Sequence, residues 1–90
     1  MTPMHEPIRL GPREKQIVAL LLQGCDNDDI ARTLNIARRT VKAHFNRMFA
    51  RFGIRDGIKR VKLATFMYRR QQWLNQQRPV MAIETLSTNL

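Results

Sequence analysis

Apolar residues fall into four blocks along the chain, each with helical spacing. In the first, Ile17, Leu20 and Leu21 make one stripe that Val18 and Leu22 widen. That is the recurrence of a helix buried on one face. Pro12 suits its opening position, because the amide it lacks would be unpaired there. Gly11 precedes it as a tolerable cap, and Glu14 suits the positive end of the helix. Gly24 predicts the stop, since glycine takes the left-handed cap without strain. A second start follows at Asp26, with Asp29 three residues on. The pair reads as a capping box with Asp in both roles. This short helix runs through Ile30, Ala31 and Leu34, and Asn35 suits the sharp turn after it.

The third helix is predicted from Arg38 to Phe52. At about 100° per residue, Val41, Phe45, Met48 and Phe52 share a narrow arc, which is the face to bury. The opposite arc holds Arg39, Lys42, Ala43, Asn46 and Ala50, flanked by Arg38, Thr40, Arg47 and Arg51. Gly53 ends this helix, and Asp56 can cap a fourth. From Ile58 the pattern is apolar on more than one side. Val61, Ala64, Thr65 and Tyr68 make one stripe, and Leu63, Phe66, Met67 and Leu74 another. One small core needs only one of them. The second predicts a partner surface, most simply the same helix of another copy, with Leu63, Phe66 and Met67 in the seam. The other outcome is a tail that folds back over it. The four blocks read as an all-α domain over 11–77, with a flexible arm over 1–10 and a polar C-terminal tail over 78–90.

Charge narrows the choice of partner. The chain has 90 residues, 43% hydrophobic and 26% charged, which is one globular domain with no room for a catalytic barrel or a dinucleotide fold. Its net charge is +9. Between Ile30 and Arg70, 12 Lys and Arg face a single acid, Asp56, a local charge of +11. Asp26, Asp28 and Asp29 sit just before this block. A basic half of this kind points to a polyanion, either nucleic acid or an anionic membrane surface. Solvated helix faces usually interleave Glu, yet Arg38 to Arg51 contains no acid. A cationic rim around Ala43 and Ala50 lets a helix backbone come close inside a groove.

Other chemistry is thin. Cys25 is the one cysteine, so a disulfide scaffold is excluded. His5 and His44 stand far apart with no partner at ligand spacing, so no metal site is expected. No nucleophile, base or metal cluster marks an enzyme, and no cofactor or small-molecule ligand is implied. No run approaches the ~20 apolar residues of a membrane span. Met1 to Leu10 does not read as a signal peptide. A cytoplasmic location is expected.

Several segments now carry a family likeness. They are Gly24-Cys25-Asp26-Asn27-Asp28-Asp29-Ile30-Ala31, Leu34-Asn35-Ile36, Thr40-Val41-Lys42-Ala43-His44 and Phe52-Gly53-Ile54-Arg55-Asp56. Together with Pro12-Arg13-Glu14 they resemble the LuxR/FixJ/GerE-type helix-turn-helix domain, over about Leu10 to Ala64. The resemblance implies a four-helix bundle-like fold with an extended fourth helix, in a bacterial transcription regulator that binds DNA, usually as a dimer through that helix. It implies base contacts from Lys42, Ala43 and Asn46 and backbone contacts from Thr40 and Lys42. Arg38, Arg39 and Arg47 join this set from the helical wheel. His44 matches a family histidine and reads as structural.

The chain departs from the family at Ala37, where a Ser or Thr commonly caps the recognition helix. That loss costs about 1 kcal/mol. Gly11 replaces a usual Thr, Gly57 a common Arg, and Arg60 a common small residue facing the core. Members usually carry a receiver or ligand-binding domain, so this chain reads either as a stand-alone regulator or as a fragment of a larger one. The expected function is sequence-specific binding of double-stranded DNA as a homodimer. The alternative is a protein-binding module of the same fold acting on RNA polymerase or another regulator. A membrane-surface helix over Lys59 to Trp73 is a remote third reading.

Overall fold

The computed structural model describes residues 9–76. Among them four helices follow in order, α1 (Pro12–Leu22), α2 (Asn27–Leu34), α3 (Arg38–Arg51) and α4 (Lys59–Gln76), with no strand. Residues 1–8 of the expected arm, position 77 and the tail over 78–90 lie outside the described residues.

Local chemistry explains where the helices begin and end. Pro12 opens α1, and the Gly11 N–H donates to Glu14 Oε1 at 2.9 Å. After α1, Gly24 has a φ of 91°. Its N–H donates to the Leu21 carbonyl at 2.9 Å, and the Cys25 N–H to the Leu20 carbonyl at 3.1 Å. This is the Schellman pair, which satisfies carbonyls the helix leaves open. It recurs after α3, where Gly53 has a φ of 74°. There the Gly53 N–H reaches Ala50 at 3.3 Å and the Ile54 N–H reaches Phe49 at 2.8 Å. Phe52 thus sits one residue past the end of α3. At α2 the capping box forms with Asp in both roles. The Asp29 N–H donates to Asp26 Oδ1 at 2.8 Å, and the Asp26 N–H donates to Asp29 Oδ2 at 3.2 Å. Asn35 turns the chain with a φ of 54°.

Two starts differ from the simple pattern. Ala37 gives α3 no side-chain cap, as its methyl requires. Asp56 was expected to cap α4, but its Oδ1 takes Lys62 Nζ at 3.0 Å instead. The helix begins only at Lys59.

The core is built from Ile17, Val18 and Leu21 of α1, Ile30 of α2, Val41, Phe45 and Met48 of α3, and Leu63 and Met67 of α4. Each such side chain contributes about 1.5–3 kcal/mol on burial. α2 packs most broadly on α3, while α4 closes over α1 and α3.

This closure corrects the expected seam between copies. Leu63 is 0% exposed and Met67 6%, so neither is available to a second chain. Phe66 is half-buried, its ring 5.6 Å from that of Phe52. The reason is geometric. α1 and α3 leave a trough that one stripe of α4 must fill, and the stripe containing Leu63 and Met67 fills it. Ile58, Val61 and Tyr68 stay outside, at 70%, 57% and 56% exposure.

Arg60 fixes α4 against the rest. Its Nη1 donates to Asn27 Oδ1 at 2.5 Å and its Nη2 to the Cys25 carbonyl. The guanidinium carbon lies 4.8 Å from the centre of the Phe45 ring. The planar cation thus stacks on a core aromatic and ties α4 to the turn before α2.

Candidate nucleic-acid interface

The core stripe of α3 fixes which side the helix shows to solvent. With Val41, Phe45 and Met48 turned inward, Arg38, Arg39, Lys42, Asn46, Arg47 and Ala50 are exposed, and Thr40 and Ala43 are half-buried. Positions 39, 42, 43, 46 and 50 recur at helical spacing and share one face. The small Ala43 sits between the longer Arg39, Lys42 and Asn46 on that face.

Two hollows flank the face. One, of about 380 Å³, is lined by Asn27, Arg38, Arg39 and Lys42 and brings the first residue of α2 to the start of α3. Asn27 was not singled out from the sequence, where only its place inside the capping box distinguished it. The other hollow lies at the far end, beside Asn46 and Ala50.

The ion pairs sort the cations into two groups. Arg32 pairs with Asp29 at 2.5 Å, Arg38 with Asp28 at 3.1 Å, Arg51 with Glu14 at 2.8 Å and Lys62 with Asp56 at 3.0 Å. Among the described residues no carboxylate pairs with Arg39, Lys42 or Arg47. Arg39 and Lys42 stand three positions apart. Such a like-charged pair costs a helix about 0.2–0.5 kcal/mol. A polyanion laid on this face relieves that repulsion.

Acids near the site have other duties. The Glu14 side chain is only 12% exposed. Burial alone pushes its carboxyl up. The Arg51 hydrogen bond, the Gly11 N–H and the Arg51 and His44 charges outweigh this and hold it below the usual value. It thereby anchors the last turn of α3 to the first turn of α1. Asp26 is lowered chiefly by the backbone N–H of Asp29. His44 is half-buried, and its Nδ1 is enclosed with no hydrogen-bond partner among the described residues. It sits near Glu14 and not on the exposed arc of Arg39 and Asn46.

Among the described residues no group of three or more His, Cys, Asp or Glu is placed to hold a metal ion. No described helix is long and apolar enough to cross a membrane.

Comparison with known proteins gives this geometry a context. The chain is 36% identical over 70 residues to the nitrate/nitrite response regulator protein NarL of Escherichia coli, covering 78% of this chain and 28% of that protein. It is 45% identical over 43 residues to the C4-dicarboxylate transport transcriptional regulatory protein DctR of Rhodobacter capsulatus, 48% of this chain and 22% of that one. It is 35% identical over 52 residues to an HTH-type transcriptional regulator of Mycobacterium tuberculosis, 58% of this chain and 6% of the relative. The chain therefore spans less than a third of the length of each of these relatives. No solved structure matches it. The family model for bacterial regulatory proteins of the luxR family matches residues 9–66, the stretch that holds α1, α2, α3 and the start of α4. By that match, the chain belongs to the luxR family of bacterial regulatory proteins.

Proposed function

We propose that this chain binds double-stranded DNA sequence-specifically and regulates transcription, with α3 as the helix that enters the major groove. The observation that carries the reading is the exposed face of α3, where Arg39, Lys42 and Arg47 have no carboxylate partner among the described residues. An α-helix with its side chains fits a major groove about 12 Å wide. Ala43 allows close approach, Lys42 faces guanine acceptors, and Asn46 is long enough to pair bidentately with adenine. Arg39, Arg47 and Thr40 serve the phosphates. Arg38 serves them too, with less weight, because Asp28 already holds its guanidinium at 3.1 Å.

Affinity calls for two copies, since one small domain makes few phosphate contacts. The exposed stripe of Ile58, just before α4, and of Val61 and Tyr68 within it supports a homodimer through that helix. A two-fold pair sets two recognition helices about 34 Å apart, and its site is an inverted repeat with half-sites about ten base pairs apart. The same stripe also suits a different protein, such as RNA polymerase or another regulator, which is the second reading. Duplex binding over a range of salt tests the first. Arg39→Ala or Arg47→Ala should each weaken all duplexes about equally and lower the log–log salt slope by about 1. A loss confined to one base pair counts against the phosphate role, and an unchanged slope removes it.

A further inference from the structure

Beyond α3 lies a second group of cations that no described carboxylate pairs with. Arg55, in the turn after α3, and Lys59, the first residue of α4, are exposed. Neither forms an ion pair with a described carboxylate. The nearby acid, Asp56, is taken by Lys62 at 3.0 Å and only feels the field of Lys59. Arg55 and Lys59 line a hollow of about 420 Å³ together with Asn46, Phe49, Ala50 and Ile54. One wall of this hollow is therefore the face assigned above to base reading. Its floor is apolar, formed by half-buried Phe49 and Ile54. Lys59 Nζ stands 6.0 Å from the centre of the Phe49 ring, at the rim of that floor.

We propose that this corner is a second backbone site for the same DNA, taking one deoxyribose-phosphate unit. The sugar lies on Phe49 and Ile54, and the phosphate sits between Arg55 and Lys59. The proposal rests on the reading of α3 as the groove-binding helix. A helix about 10–12 Å across fills a groove about 12 Å wide, so a phosphate strand runs along each side of it. Arg38, Arg39 and Lys42 gather at the start of α3. The corner supplies cations at its far end, where the other strand passes. Such a contact fixes register on the duplex and carries no base preference.

Salt-dependent binding of Arg55→Gln, Lys59→Gln and the double variant tests this, on a duplex recovered from a random pool. Both residues are exposed, and thermal melts check that the variants fold. The double change should lower the log–log salt slope by about 1, the share of the one phosphate held there, and each single change by no more than that, with the preferred sequence unchanged. Neutral methylphosphonate at one backbone position should weaken the native protein and leave the double variant indifferent there. If the double variant keeps the native slope while Arg39→Ala lowers it, the corner does not touch DNA and the α3 reading stands. If the double variant changes the preferred bases, the corner is not a backbone site. If the native protein shows no salt-dependent duplex binding, both readings fall.

Discussion

α3 shows the solvent Arg39, Lys42, Asn46 and Arg47, whereas α4 and the residue before it show Ile58, Val61 and Tyr68. Both helices give one stripe to the same core, and both are rich in Lys and Arg. What remains after the core is satisfied differs. On α3 it is the charge of Arg39, Lys42 and Arg47, which no described carboxylate pairs with, around a small side chain. On α4 it is apolar surface, while one of its cations, Lys62, is already paired with Asp56. A face of the first kind is drawn to a polyanion and weakened by salt. A face of the second kind gains by excluding water and is largely indifferent to salt. The two surfaces are thus separable by experiment.

The sharpest test of that division lies within α4. Leu63→Ala removes a side chain that is 0% exposed, and it should cost about 2–5 kcal/mol in denaturant titration. Val61→Glu, two residues away and 57% exposed, should leave stability within about 0.5 kcal/mol. In sedimentation it should turn a dimer into a monomer that still binds half-sites weakly. Equal costs for the two changes would mean that the stripes of α4 are not distinct. A native protein that stays monomeric, free and on a two-site duplex, leaves the exposed stripe to another protein.

Arg60→Met comes next in size. It keeps an apolar stem over Phe45 but removes both hydrogen bonds and leaves the Cys25 carbonyl without this donor. The expected loss is about 1–3 kcal/mol. A smaller loss would mean that water replaces the guanidinium. The acids give the mildest effect. The carboxyls of Glu14, Asp26 and Asp56 are all held below their usual values. Their contribution is complete above the unfolded value of about 4 and is lost as pH falls through the lowered folded values. Melting temperature should be flat from neutral pH down to about 5 and fall below about 4. Glu14→Gln should flatten part of that fall. An unchanged profile would remove the Glu14–Arg51 pair from the account.

Much of this fold was legible because its signals are local. Asp26 and Asp29 find each other within one turn, and Gly24 and Gly53 stop their helices through neighbours a few residues back. The inward stripe of α3 follows from spacing alone. The exposed positions of Arg39, Lys42, Asn46 and Arg47 follow from the same wheel. α4 was ambiguous for a physical reason. It carries two stripes, and only the trough between α1 and α3 decides which is buried. Asp56 misled because a long lysine side chain competed for a carboxylate that could have capped the backbone. Arg60 was out of reach, since its partners Asn27 and Cys25 lie 33 and 35 residues away in the chain. Arg55 and Lys59 look like ordinary solvated cations until the turn after α3 places them beside Asn46.

Selection of bound duplexes from a random pool, run in parallel on the native protein and on Asn46→Ala, tests the central claim most directly. The native protein should enrich an inverted repeat with half-sites about ten base pairs apart. Asn46→Ala should lose about 1–3 kcal/mol of discrimination at one base pair of each half-site and keep the rest. A native protein that enriches no sequence, or a variant that enriches the same one with the same stringency, would contradict base reading by the exposed face of α3.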